Sequence, residues 1–156
     1  MMQVTVPGYK TLVFSHVVLD CNGTIACDGH LIPGVRQRLE ELSKHVSVHI
    51  LTADTFGSVR KETAGIPCEV AVIGKENQTQ AKADYVRQLG FEKTVAVGNG
   101  RNDALMLKES VLGIAVVQEE GAAVETLVAA DIASRSILDA LDLLLHPLRL
   151  TATLRS

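Results

Sequence analysis

Aromatic residues are nearly missing from this chain: they make up 3% of its 156 residues, and there is no Trp. A core must therefore be assembled from Val, Leu, Ile and Ala, small side chains that suit strands covered by helices on both faces. Cysteine is sparse too. Cys21, Cys27 and Cys68 are odd in number and have no Cys-x-x-Cys or Cys/His ligand spacing, which speaks against a disulfide framework and for reduced thiols in a cytoplasmic protein. A zinc site built from Cys21, Cys27, His16 and His30 lacks the usual spacing. No apolar run approaches the roughly twenty residues of a membrane helix, and the N-terminus has no signal-peptide pattern, so no membrane partner is expected. Charge of one sign is never concentrated in a block. A formal charge of -3, from 15 Lys and Arg against 18 Asp and Glu, argues against a nucleic-acid partner, which would call for a basic surface. Repeats and low-complexity linkers are absent, and residues 1–156 read as a single domain.

What is present is an alternation of short apolar runs and amphipathic stretches. The central run, residues 12–24 (LVFSHVVLDCNGT), has the β-branched content of a buried strand over 12–19 and ends in Asp20 and an Asn22-Gly23-Thr24 turn. Residues 3–6 form an edge strand or hairpin arm before it. Residues 21–33 form a short flap loop or small hairpin with Asp28-Gly29 at its tip. Further strands are expected at 46–51, 68–73, 94–97, 112–117 and 132–133, with helices over 34–44, from Thr55 to Gly65, 77–89, 104–110, 121–130 and 136–145. This pattern predicts a three-layer, Rossmann-like α/β domain with a mostly parallel central sheet and right-handed crossovers. The tail 147–156 (PLRLTATLRS) reads as a strand or extension lying on the body, or alternatively as a homo-oligomer contact.

Three strand ends carry polar clusters: Asp20 with Asn22 and Thr24, Thr52 with Asp54, and Asn99 with Asn102 and Asp103. In a parallel sheet these ends share one edge, where ligands of open α/β sheets bind. Hydroxyls, amides and carboxylates suit a hard cation such as Mg2+, and the backbone N–H groups of a helix start favour an anion. Lys82 is the candidate counter-charge for phosphate oxygens; Lys75, in a loop, competes for that role. Asp54 fits a helix cap at Thr55 better than a metal ligand. Arg101 either reaches substrate or sits in solvent. His16 reads as a satisfied core histidine, and His30, His45, His49 and His146 have no constellation around them.

LDCNGT, the Thr52 strand end, Lys82 and GNGRND resemble the four ordered motifs of the haloacid dehalogenase-like (HAD) phosphohydrolase superfamily. The stretch from Lys82 to Ala130, with VAVGNGRNDALMLKES, GIAV and Ala130-Asp131-Ile132, is most similar to the phosphorylation domain of P-type ATPases and to small soluble phosphatases of that type. The likeness spans about residues 12–145. It implies a HAD-type domain with a minimal cap, since the thirty or so residues between Asp20 and Thr52 leave room for only a flap and one helix. It implies that Asp20 attacks phosphorus to give an aspartyl-phosphate, and that Thr24, Thr52, Ala53, Lys82 and Asn102 hold the substrate. Asp20, Asn22 through its backbone carbonyl, Asn99 and Asp103 would hold Mg2+. The substrate would be a phosphorylated small molecule or a phosphoprotein.

Two departures from the family pattern stand out. Asn22 replaces the Asp that protonates the leaving group and activates water, and Asn99 replaces a metal-binding carboxylate. The first predicts a slow or specialised phosphatase, since general acid–base help is a factor of roughly 10² to 10⁴. The alternative is a weak or inactive module that binds magnesium and phosphate. A dinucleotide-binding reading of Gly98-x-Gly100 lacks the third Gly and the first βαβ position.

Overall fold

The computed structural model describes residues 1–54 and 57–156. Its centre is a six-stranded parallel sheet made of β3 (His16–Asp20), β6 (Ser47–Thr52), β7 (Glu69–Val72), β8 (Thr94–Gly98), β9 (Leu112–Val116) and β10 (Ile132–Ser134), in the order β10-β9-β8-β3-β6-β7. β3 lies in the middle, with Leu19 opposite both Ile50 and Val97. The flanking strands therefore end at Thr52 and Gly98 beside Asp20. This is the Rossmann-like arrangement expected from the alternation of elements.

Successive strand residues face opposite sides, and the core divides accordingly. Val17 and Leu19 join Val95, Ile114, Leu39 and Leu141 on one face. Val18 joins Leu51, Ala96, Ala115, Val86 and Met106 on the other. The covering helices on the first face are α1 (Val35–Leu42) and α6 (Ile137–Leu145); on the second, α3 (Gln78–Leu89) and α4 (Ala104–Glu109). Leu19 is fully buried, and truncating such a side chain to Ala costs about 2–5 kcal/mol. Two shorter helices, α2 (Ser58–Glu62) and α5 (Val124–Ala129), complete the crossovers.

The expected strand over 12–19 is in fact two. β2 (Thr11–Phe14) pairs antiparallel with β1 (Met2–Thr5), whereas β3 begins at His16. The break falls at Ser15, whose N–H donates to Lys93 and whose carbonyl accepts from Ser47, so the chain leaves the hairpin and enters the sheet at this residue. The tail is also different from the expectation. Residues Pro147–Leu154 form a helix, α7, with Pro at its first position and Leu150 fully buried; a Pro there loses no helical hydrogen bond. The region 21–33 contains the hairpin β4 (Ala26–Cys27) and β5 (His30–Leu31), with Asp28 and Gly29 at its tip. The helix start expected at Thr55 lies outside the described residues. Asp54 does cap a helix, but α2: its Oδ2 accepts from the backbone N–H groups of Ser58 and Val59 at 3.0 and 3.4 Å. Among the described residues no helix is long and apolar enough to cross a membrane.

Candidate active site

Asp20 ends the middle strand, and its neighbours converge on it from four segments. Lys82, buried on α3, places its ammonium 2.8 Å from Asp20 Oδ1 and 2.7 Å from Asp103 Oδ1, with Asn102 Oδ1 at 3.3 Å. Lys75 instead lines a neighbouring cavity under the flap, together with Asp54 and Glu62. Thr24, fully buried in the turn after β3, donates its hydroxyl to Asp20 Oδ2 at 3.1 Å and lies 3.4 Å from Asn99 Oδ1. Asn102 in turn donates to Gln78 at 2.7 Å.

Asp103 is fully buried and organises the loop after β8. Its Oδ2 accepts from the N–H groups of Asn99 (3.0 Å) and Gly100 (2.9 Å). Gly98 makes room for this: a Cβ there would fall 2.5 Å from Asp103 Cγ. Thr52 Oγ1 accepts from the Asp54 N–H at 3.0 Å, and its hydroxyl also lies within hydrogen-bonding reach of the Cys21 thiol. A cavity of about 360 Å³ opens above this cluster, lined by Asp20, Asn22, Thr52, Lys82, Asn99 and Glu120, with Ala53 and Asn102 also at its wall. The nine residues that the resemblance assigns to the site thus line the cavity or hydrogen-bond to those that do.

Burial, and then the charge of Asp103, raise the Asp20 carboxyl to about 6, with Lys82 and Thr24 pulling it down. Burial disfavours the Lys82 ammonium, but the two carboxylates outweigh it and hold its pKa above the ordinary value. At neutral pH the site therefore holds an ionised carboxylate against a charged lysine. Cys21, next in sequence, is kept as the thiol: burial and the charges of Asp20 and Asp54 push it up to about 12.

Besides the Lys82 ammonium, the groups around Asp20 that could ligate a cation are hard oxygens: Asp20 and Asp103, the Asn99 amide oxygen and the backbone carbonyls of the Asn22 turn. Among the described residues no three His, Cys, Asp or Glu side chains gather into a metal cage. Two carboxylates supplemented by neutral oxygens fit Mg2+, which keeps several waters and rarely takes an all-protein shell. The zinc grouping of Cys21, Cys27, His16 and His30 does not assemble.

Arg101 pairs with Glu125 at 3.0 Å and is largely in solvent. The histidine reading needs correction. His49 Nε2 is 3.1 Å from His16 Nδ1, and His49 Nδ1 is 3.0 Å from the Tyr85 hydroxyl, with Glu69 at 3.7 Å. His49 therefore has a constellation, at the sheet edge opposite Asp20. Alternation along β6 would have put it on the same face as Leu51, but not beside two partners from other elements. His30 also faces a carboxylate, Glu62, at 3.5 Å on the surface. Sequence reasoning passed over Glu120 altogether. In a Gln-Glu-Glu-Gly turn it has the composition of a solvated loop, and no local signal aims it at Asp20.

The chain matches no protein-family model. It is 52% identical over 64 residues to the uncharacterized protein MJ0073 of Methanocaldococcus jannaschii, a match covering 41% of this chain and 69% of that one. A second uncharacterized protein of that organism, MJ0072, is 49% identical over 39 residues, covering 25% of this chain and 89% of its own length. Among solved structures, the 3-deoxy-D-manno-octulosonate 8-phosphate phosphatase of Moraxella catarrhalis, in complex with magnesium, phosphate and its sugar, superposes with a TM-score of 0.71 at 14% identity over 86% of this chain and 87% of that one. The cobalt-bound deoxy-D-mannose-octulosonate 8-phosphate phosphatase from Haemophilus influenzae gives 0.71 at 15% identity, covering 92% and 94%. A phosphoserine phosphatase in apo form gives 0.67 at 16% identity, covering 85% and 98%.

Proposed function

From a chain that belongs to one family with MJ0073 of Methanocaldococcus jannaschii and has the fold of the HAD-like phosphatases, we propose a divalent-metal-dependent phosphohydrolase that works through an aspartyl-phosphate on Asp20. The observation that carries this reading is the convergence of Asp20, Lys82 and Asp103 beneath one open cavity. Phosphatases bound to magnesium or cobalt on the same fold support the choice of cation.

Asp20, ionised at neutral pH, is the nucleophile. Its oxygen bonds to phosphorus while the bond to the leaving oxygen breaks, and that oxygen departs as an anion. Water then attacks phosphorus, releasing orthophosphate and restoring the carboxylate. Lys82 and the Thr52 hydroxyl hold the equatorial oxygens of the transferring group. Thr24 fixes the Asp20 carboxylate by its 3.1 Å hydrogen bond. Asp20, Asp103, Asn99 and the Asn22 carbonyl would hold Mg2+, which when bound would neutralise charge developing on the phosphoryl group.

Asn22 lines the cavity, and on this reading it stands in for the acid that would protonate the leaving group. An amide can neither give nor take that proton, so the favoured substrates are those with stable leaving anions, aryl and acyl phosphates. The same residue favours a second reading, a magnesium- and phosphate-binding module without turnover. One experiment separates the two. The protein is incubated with para-nitrophenyl phosphate and Mg2+, acid-quenched, and mapped by mass spectrometry. One phosphoryl group on the Asp20 peptide with nitrophenolate release, both lost in Asp20→Asn, is the expected result. Hydrolysis surviving in Asp20→Asn refutes the assignment.

A further inference from the structure

The loop after β9 is tied to the turn after β3, to the start of α6 and to Asn99. Gln118 Nε2 donates to the carbonyls of Gly23 (3.2 Å) and Thr24 (3.0 Å), and its Oε1 accepts from the Ile137 N–H at 2.8 Å. The Asn99 amide donates to the Gly121 carbonyl at 3.1 Å, and the Ala123 N–H donates to the Asn99 carbonyl at 3.0 Å. Glu120 lies between these anchors, with its carboxylate next to Gly23. A methyl group on Gly23 would sit 2.0 Å from Glu120 Oε2, 2.7 Å from Asn99 Nδ2 and 2.9 Å from Asn99 Oδ1. The carboxylate and the Asn99 amide thus share the small space that a glycine leaves open. Among the described residues no cation or hydrogen-bond donor engages the Glu120 side chain.

These ties give a physical account of Asn99. Its NH2 group clamps the Gly121 carbonyl, a bond that a carboxylate at position 99 would turn into repulsion between oxygens. The clamp leaves the site one negative charge short, and the same loop brings one back next to the gap. We propose that Glu120 replaces the charge missing at Asn99, accepting hydrogen bonds from the water shell of the divalent cation held at Asp20. This rests on the phosphohydrolase reading of the site. Glu120 acts from the outer sphere, because it does not close with Asp20 and Asp103 into a three-carboxylate cage. Magnesium retains enough water for such an arrangement, and outer-shell partners of bound metals typically account for about 10- to 100-fold in affinity.

The test measures binding without turnover. Mn2+ is titrated into metal-free protein, and free ion is followed by its electron paramagnetic resonance signal for the wild type, Glu120→Gln and Glu119→Gln. Both side chains are on the surface turn, and both variants change net charge equally. The expected result is a Kd raised about tenfold or more in Glu120→Gln, and one within about twofold of wild type in Glu119→Gln. Wild-type binding with no change in Glu120→Gln overturns this inference and leaves the phosphohydrolase reading standing. Equal weakening in both variants overturns it as well, since the effect would then be one of general field. A wild type that binds no Mn2+ overturns both readings.

Discussion

The buried ammonium of Lys82 compensates two carboxylates at once, so replacing it with Met is the most demanding perturbation of the site. Removing one partner of a buried ion pair typically costs about 3–5 kcal/mol, because the other charge is left without compensation. In a chain of this length each kcal/mol moves Tm by about 2–4 °C, so Lys82→Met should lower Tm by about 10 °C at pH 8 in chelator. The loss must depend on pH. The Asp20 carboxyl already stands at about 6 with Lys82 pulling it down, and without the ammonium it rises further. A folded-state pKa above the unfolded value, about 3.9, means that the folded protein binds the extra proton between the two. The penalty is therefore full above the folded value and fades as pH falls toward the unfolded one. Urea unfolding at pH 8 and pH 5 reads this directly: the variant should recover a substantial part of its deficit at pH 5. Mg2+ at pH 8 should recover part of it too, because it compensates the same carboxylates. A deficit equal at both pH values, or one below about 1 kcal/mol, refutes the view that Lys82 neutralises a strained carboxylate pair.

Restoring an acid with Asn22→Asp should raise the turnover of alkyl phosphates by about 10²-fold or more while changing aryl phosphates less, as steady-state kinetics on both classes would detect. Gly98→Ala drives a methyl group into Asp103 at 2.5 Å; overpacking of this kind costs about 1–3 kcal/mol, and calorimetry should show that loss together with weaker Mn2+ binding. Burial first, then Lys93 beside His16 and His16 beside His49, hold both imidazoles below their ordinary pKa, with Glu69 opposing at His49. The folded state resists protonating them, so their contribution is present above about 6.5 and is lost as pH falls through their folded values. Because protonation of Asp20 works in the opposite direction over the same range, the readout is the gap between variants: relative to wild type, His49→Phe should gain stability as pH falls below about 6.5 in denaturant titrations.

Much of the fold was legible because each local signal agreed with the global one. β3, β6, β8 and β9 are short β-branched runs, each followed by a polar turn, and the parallel register does the rest, bringing Asp20, Thr52 and Asp103 to one edge. Lys82 could be chosen over Lys75 because it lies within an amphipathic helix rather than a turn. What escaped depends on contacts between segments far apart in sequence. The break at Ser15 is made by Lys93 and Ser47, and nothing in the run 12–19 announces it. α7 had a signal, Pro147 at a helix start with Leu150 and Leu154 one turn apart, but mixed polarity hid it. The partners of His49 come from β3 and α3, and the orientation of Glu120 comes from Gln118 and Asn99.

The position of β3 has a consequence for motion. Hydrogen-bonded to a neighbour on both sides, its inner amides can exchange with solvent only when the whole domain unfolds, whereas the two-residue strands of the flap can open by themselves. The rim can thus open repeatedly while the Asp20 carboxylate stays in place, and an isotope-labelling map would find fast- and slow-exchanging backbone within about ten residues of each other.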